Sequence, residues 1–272
     1  MLFPRETIRK FLARHRRQKL IRKIGNNLGY FWQGFENQDY DVTTNGERFV
    51  LESLKQLEPR ACIFDVGAHC GEWARMAADA VPEGTVQSFE AVPSTYDKLR
   101  QHCADLPNVR PHNVALGEQT GHIEFSVATG RDELSSGVAG VHGNLHKMEF
   151  SVVRCAVTTG DAFCEREGIS RIDFLKIDVE GMEPMVLKGF ARMLAERRIG
   201  AVQFEYGQVN LQARFFLGDF YELLGRYDMA VGKIYPTYVD FREYNFTQDT
   251  LTGPNYLAVP RANRELIRLL TN

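Results

Sequence analysis

The chain has 272 residues, 44% of them hydrophobic and 25% charged, enough to bury one substantial core with room for a short cap or extension. No window approaches the roughly 18 apolar residues of a membrane span, and the N-terminus shows neither the apolar core nor the cleavage site of a signal peptide, so a cytoplasmic protein is expected. The five cysteines (Cys62, Cys70, Cys103, Cys155, Cys164) are never spaced C-x-x-C, which argues against a disulfide framework or structural zinc site and for reduced thiols.

The net charge of −2 is unevenly spread: residues 1–23 hold nine Lys or Arg against the single acid Glu6, a charge of +8 that leaves −10 for the rest. Leu2, Phe3, Ile8, Phe11, Leu12, Leu20, Ile21 and Ile24 are interleaved with these bases. Such an arm can sit peripherally on an anionic surface such as the inner membrane face, bind a polyanion, or dock on the body as a solvated helix; docking is the leading expectation. Nucleic acid is disfavoured, since no aromatic-and-basic pattern or known binding module accompanies the charge. Residues 29–48 mix aromatics with turn formers, and a short helix through Phe49, Leu51, Leu54 and Leu57 ends at Pro59. We therefore divide the chain into a basic helical or irregular extension, 1–45, and a catalytic domain, 46–272.

From there strands and helices alternate. Strands are expected at Ala61–Val66, Thr85–Ala91, Val109–Ala115, Ile172–Val179 and Ala201–Tyr206, with helices near 72–80, 94–104, 182–197 and 211–225. Short apolar runs joined by amphipathic helices imply a doubly wound, mostly parallel α/β sheet of Rossmann-like form, with seven strands and the last antiparallel. An insertion over about 117–157 carries a β-hairpin, His122–Val127 with Phe150–Val157, around a polar loop at 128–148. Tyr227–Ile234 and Asn255–Val259 close the sheet, and Arg261–Leu270 forms a final helix.

The first strand runs into DVGAHCGEW, where Asp65, Gly67 and Gly71 stand at a strand-to-helix turn. A dinucleotide fingerprint needs G-x-G-x-x-G, but the second and third glycine positions are His69 and Glu72. Acids at this turn would repel a diphosphate and suit the cationic sulfonium and ammonium of S-adenosylmethionine. Glu90 closes the second strand, placed to accept hydrogen bonds from ribose hydroxyls.

The sequence resembles the FkbM-type methyltransferases over roughly residues 45–260, through IFDVGAHCGEW (63–73), SFEAVPSTYDKLR (88–100), NVALGEQTGHIEF (113–125), LSS (134–136), IDFLKIDVEGMEPMVLKGF (172–190) and NYLAV (255–259). The resemblance implies a class I O-methyltransferase acting on sugar or natural-product hydroxyls, often in glycan assembly. It also implies that Asn113 and Ala115 lie near the adenine, with the backbone of Ala91 and Val92 beneath it, and that Ser136 approaches the cofactor. His69 stands where the family usually has Asn, and is expected to contact the methionine part or the acceptor.

Methyl transfer is an in-line displacement, and an alcohol needs a base or metal to favour its deprotonated form. Lys176, Asp178 and Glu180 alternate in FLKIDVEG and should share one side of an extended segment. Asp178 is the first choice for base, Glu180 the second, and Glu205 at the end of the next strand should lie beside Asp178, the two able to share a proton or hold a divalent metal ion. Lys176 would neutralise these acids. Asp161, with Thr158 and Thr159, reads as a helix cap or first-turn acid. His142 and His146 are four apart and invite a metal reading, but no third ligand is near in sequence, and a plain solvated loop, an acceptor-side contact or a mobile lid is preferred; Tyr235, Tyr238, Phe241, Tyr244 and Phe246 read mostly as packing, with sugar stacking the alternative. The acceptor is expected to be a glycan or small-molecule alcohol. N-methylation and a non-catalytic cofactor-binding scaffold are the competing readings; oligomeric state has no signature.

Overall fold

A computed structural model describes residues 5–128, 131–136 and 150–271. The N-terminal segment forms α1 (Arg5–Arg14) and α2 (Lys19–Phe35), followed by α3 (Glu47–Lys55). Then come β1 (Cys62–Val66), α4 (Glu72–Ala80), β2 (Thr85–Phe89), α5 (Pro93–His102), β3 (Val109–His112) and the two-residue β4 (Ala115–Leu116). The insertion supplies β5 (Gly121–Ala128), β6 (Arg131–Ser136) and β7 (Phe150–Thr158). The chain returns through α6 (Gly160–Glu167), β8 (Phe174–Ile177), α7 (Glu183–Gly189), α8 (Ala191–Ala195), β9 (Val202–Glu205), α9 (Asn210–Ala213) and α10 (Leu217–Gly225). It ends with β10 (Met229–Tyr235), β11 (Tyr238–Phe241), β12 (Asn255–Pro260) and α11 (Arg264–Thr271).

Eight strands form the main sheet in the order β11-β10-β12-β9-β8-β1-β2-β3. Pairing is parallel from β9 to β3, while β12 runs antiparallel to both β9 and β10. This is the expected Rossmann-like architecture with one strand more than the seven foreseen: Tyr238–Phe241, read as packing aromatics, turns back on β10 as an antiparallel edge. Alternation along β1 sends Ile63 to one apolar layer with Val50, Leu51, Trp73, Ala77 and Leu266, and Phe64 to the other with Phe163, Val186, Phe190, Phe204 and Phe220. Helices α3, α4 and α11 therefore cover one face, and α6, α7, α8 and α10 the other.

The hairpin expectation holds for β5 and β7, which pair antiparallel from Gly121↔Val157 to Ala128↔Phe150. The polar loop, however, contains a further strand, β6, on the outer side of β5. The third sheet strand also stops earlier than expected, at His112, and Ala115 joins the second sheet through β7 instead.

The docked-arm expectation is corrected. Neither α1 nor α2 contributes a buried residue. Among the described residues the body is engaged from the last turn of α2 onward, where Lys233 Nζ pairs with Glu36 at 2.8 Å and the Asn37 amide donates to the carbonyls of Asn45 and Ile234 at 2.8 and 2.9 Å. Among the described residues no helix is long and apolar enough to cross a membrane.

Candidate active site

The turn after β1 is held by the end of β2: the amides of Gly67 and Ala68 both donate to the Phe89 carbonyl, at 3.0 and 2.9 Å. Gly67 has φ +83°, and a Cβ there would collide with the Asp178 carbonyl, so only glycine lets the two strand ends meet. At Gly71, φ +90°, a Cβ would meet Leu99 and Cys103, and the residue thus serves close packing of α4 on α5.

A cavity of about 280 Å³ opens beside this turn, lined by Gly67, His69, Glu90, Ala91, Val92 and Ala115 together with apolar groups of β5 and β7. Each Glu90 carboxylate oxygen is fixed by a backbone amide, Oε1 by Val92 at 2.8 Å and Oε2 by His69 at 3.1 Å. Burial raises the Glu90 carboxyl to about 7 against the pull of those amides. The Asn113 amide does not line the cavity; it donates to the carbonyls of Glu90 and Ala91 at 2.9 and 3.0 Å and so fixes the backbone beneath it. Ser136 ends β6 opposite Ser126 of β5.

A second cavity, about 170 Å³, shares Gly67, His69 and Asp178 with the first. Its base is Lys176, only 5% exposed, whose ammonium pairs with Asp65 at 3.1 Å and Asp178 at 3.3 Å and lies 5.4 Å from the centre of the Trp73 ring. Burial opposes that charge, yet Asp65, Asp178 and Glu47 overcome it and raise the Lys176 pKa. Asp65 is wholly buried on Lys176 and, like Gly71, lines neither cavity. Its Oδ2 has no hydrogen-bond partner among the described residues, and burial raises its pKa.

β8 ends at Ile177, so the expected alternation does not carry Glu180 to the side of Asp178. The backbone turns instead, with φ +52° at Glu180 and +95° at Gly181, and the buried Glu183 clamps the turn by accepting from the amides of Val179 and Gly181 at 3.1 and 3.2 Å. The turn still gathers the acids: carboxylate oxygens of Asp178, Glu180 and Glu205 lie within 4.8 Å of one another. For Asp178, burial is outweighed by the Lys176 charge and by hydrogen bonds from Glu205 and Lys176, and its pKa is held below the ordinary value. Burial and the charge of Asp178 raise Glu205 well above its own, and the same two causes bring Glu180 to about 7. The two shifts run in opposite directions, so within the pair Asp178 is the more readily ionised and Glu205 the more readily protonated group, joined by a hydrogen bond.

Three contributors escaped the sequence reading. Glu47, in the first turn of α3, accepts from the Trp73 indole at 2.9 Å and from Gln203 and Asn45, and its carboxyl is raised by burial. Tyr40 lines the second cavity, and Glu183 holds the turn. Asp161 is a first-turn acid of α6, which Thr159 caps, and it caps a different helix by accepting from the amides of Arg192 and Met193 at the start of α8. His142 and His146 lie outside the described residues. Tyr235 and Tyr238 stack at 4.9 Å, and Tyr244 packs on Tyr221 at 5.4 Å, in keeping with packing roles.

The family model for the methyltransferase FkbM domain matches residues 65–234. The chain belongs to the FkbM methyltransferase family. It is an S-adenosylmethionine-dependent methyltransferase. The 2-O-methyltransferase NoeI of Sinorhizobium fredii is 25% identical over 237 residues, 81% of this chain and 95% of that protein. The hexuronic acid methyltransferase AglP of Haloferax volcanii is 27% identical over 168 residues, 60% of this chain and 64% of its own. The solved methyltransferase FkbM from Methylobacillus flagellatus KT aligns with a TM-score of 0.47 at 15% identity, covering 74% of this chain and 44% of that one.

Proposed function

We propose that this enzyme methylates a hydroxyl of a sugar or glycan acceptor, with Asp178 receiving the hydroxyl proton. The observation that carries the reading is that, among the described residues, Asp178 is the one acid lining both cavities. The names of the two relatives, a 2-O-methyltransferase and a hexuronic acid methyltransferase, point to the same acceptor class.

S-adenosylmethionine supplies an electrophilic methyl group on a cationic sulfur. The first cavity fits its nucleoside: Glu90, already held by two amides, keeps outward lone pairs for ribose hydroxyls, and Ala91, Val92 and Ala115 offer apolar flanks for a base. Gly67 leaves room at the turn, and His69 borders both cavities. Lys176 keeps Asp178 ionised. An alcohol proton becomes strongly acidic as its oxygen is alkylated, so even a carboxylate of depressed pKa accepts it. Glu205 orients that carboxylate through the shared proton. Residues 46–272 carry most of this chemistry, with Tyr40 of the extension lining the second cavity, and the extension 1–45, joined at Glu36 and Asn37, presents its basic arm to an anionic surface.

A second reading rests on the convergence of Asp178, Glu180 and Glu205, whose oxygens could hold a divalent cation in place of the shared proton. Transfer from labelled S-adenosylmethionine to oligosaccharide acceptors, with and without chelator, separates the two: chelator-insensitive transfer supports the proton pair, and loss restored by magnesium or manganese supports the cation. In either case Asp178→Asn should lower turnover by about 10²–10⁴-fold with cofactor affinity little changed. Turnover retained in that variant removes Asp178 from the reaction.

A further inference from the structure

The apolar face of α2 is exposed. At roughly 100° per residue, Leu20, Ile24, Leu28, Phe31 and Phe35 fall within an arc of about 80°. They are 68%, 41%, 58%, 71% and 63% exposed. Lys19, Arg22 and Lys23 occupy other parts of the circumference, and α2 contains no acid. Helix α1 repeats the pattern, with Ile8 and Phe11 exposed among Arg5, Arg9, Lys10 and Arg14. α2 meets the body through Trp32, at one margin of the face, which lines a cleft with Lys233 and Tyr235.

We infer that α2 lies in the interface of an anionic phospholipid bilayer, with Leu20, Ile24, Leu28, Phe31 and Phe35 entering the acyl boundary and the bases of both helices at the headgroups. The inference rests on the anionic-surface reading of residues 1–23 and extends it to an inserting face that reaches Phe35. Charge selects the occupant. A second copy packed arm to arm would bring its own +8 against this one, whereas an anionic lipid surface neutralises it. A flexible polyanion would neutralise the bases but leave the five apolar side chains in water. The face ends at Phe35, immediately before the Glu36 and Asn37 anchors and five residues from Tyr40 at the acidic cavity, so a bilayer on α2 stands near the site.

The test uses the full chain carrying Phe31→Trp and Trp32→Phe, which puts an indole on the face while the buried Trp73 stays constant. Phosphatidylcholine vesicles containing phosphatidylglycerol should shift its emission to the blue, and brominated acyl chains should quench it. Vesicles of phosphatidylcholine alone should bind on the order of tenfold or more weakly. In the otherwise native chain, Leu28→Ser with Phe31→Ser and Phe35→Ser should weaken partition by a similar factor, leaving the thermal midpoint and transfer to a soluble acceptor unchanged. Binding to the anionic vesicles without a blue shift or quenching overturns insertion and leaves the surface charge contact standing. Absence of any partition overturns both, and a lipid-free dimer that shields the indole assigns the face to self-association instead.

Discussion

Glu90 is buried enough to bring its carboxyl to about 7, yet both its oxygens already receive backbone amides. Ligand hydroxyls must therefore add to a carboxylate that is rigid before they arrive, which favours tight and directional binding. Charge-assisted hydrogen bonds contribute roughly 1.5–3 kcal/mol each, so Glu90→Ala should weaken S-adenosylmethionine binding about 10- to 100-fold by calorimetry. Affinity unchanged within twofold would remove Glu90 from the pocket. The role of such a residue is legible because it sits at a strand end in a recognisable pattern. Glu47 offers no such signal: in the sequence it is one acid at the start of an amphipathic helix, and only the packing of α3 on α4 brings it to Trp73. Tyr40 is similar, since it meets the second cavity through residues far from it in sequence, whereas Glu183 acts locally, on the amides of Val179 and Gly181 four and two residues before it.

At the scale of elements, β1, β2, α4 and β8 can be read from apolar runs punctuated by Gly67, Gly71 and Gly181. The end of β8 cannot. Val179 continues a period-2 pattern that the backbone abandons at Glu180, because Glu183 offers the turn a better set of hydrogen bonds than a longer strand would. The edge strand β11 was hidden for a related reason: Tyr238 and Phe241 are as suited to a cap as to a strand, and pairing with β10 decides between them. Capping is also distributed between elements. Asp161 of α6 accepts one hydrogen bond at each carboxylate oxygen from the Arg192 and Met193 amides of α8, so Asp161→Ala should cost about 1 kcal/mol and lower the thermal midpoint by roughly 2–4 °C, while Asp161→Asn, with one acceptor oxygen, should keep about half of that. Equal losses in both variants would mean that α8 requires both carboxylate oxygens together, so that one retained acceptor contributes nothing.

The whole molecule carries an unusual concentration of carboxyls with raised pKa values on one side of its sheet. Glu90, Glu180 and Glu183 each rise from 4.5 to about 7, with burial the largest cause. Between those two values the folded chain retains protons that the unfolded chain releases, so these groups make stability fall as pH rises through that window. The ligand-free protein should therefore melt at a lower temperature at about pH 7.5 than at about pH 5.5, and Glu183→Gln, which keeps the oxygen that accepts from Val179 and Gly181, should flatten the slope. A midpoint that climbs with pH across this range would contradict the burial of these groups.

The two margins of the eight-stranded sheet are both four residues long, and neither invites a further strand. β3 carries Pro111, which has no amide proton to donate, beside the charged Arg110; β11 carries Asp240, with Arg242 just beyond it. Short, charged or proline-bearing margins are how sheets avoid recruiting strands from other chains. The main sheet thus resists edge-to-edge growth and the aggregation that follows from it, and copies of this protein brought close together on a surface would remain separate at these two margins.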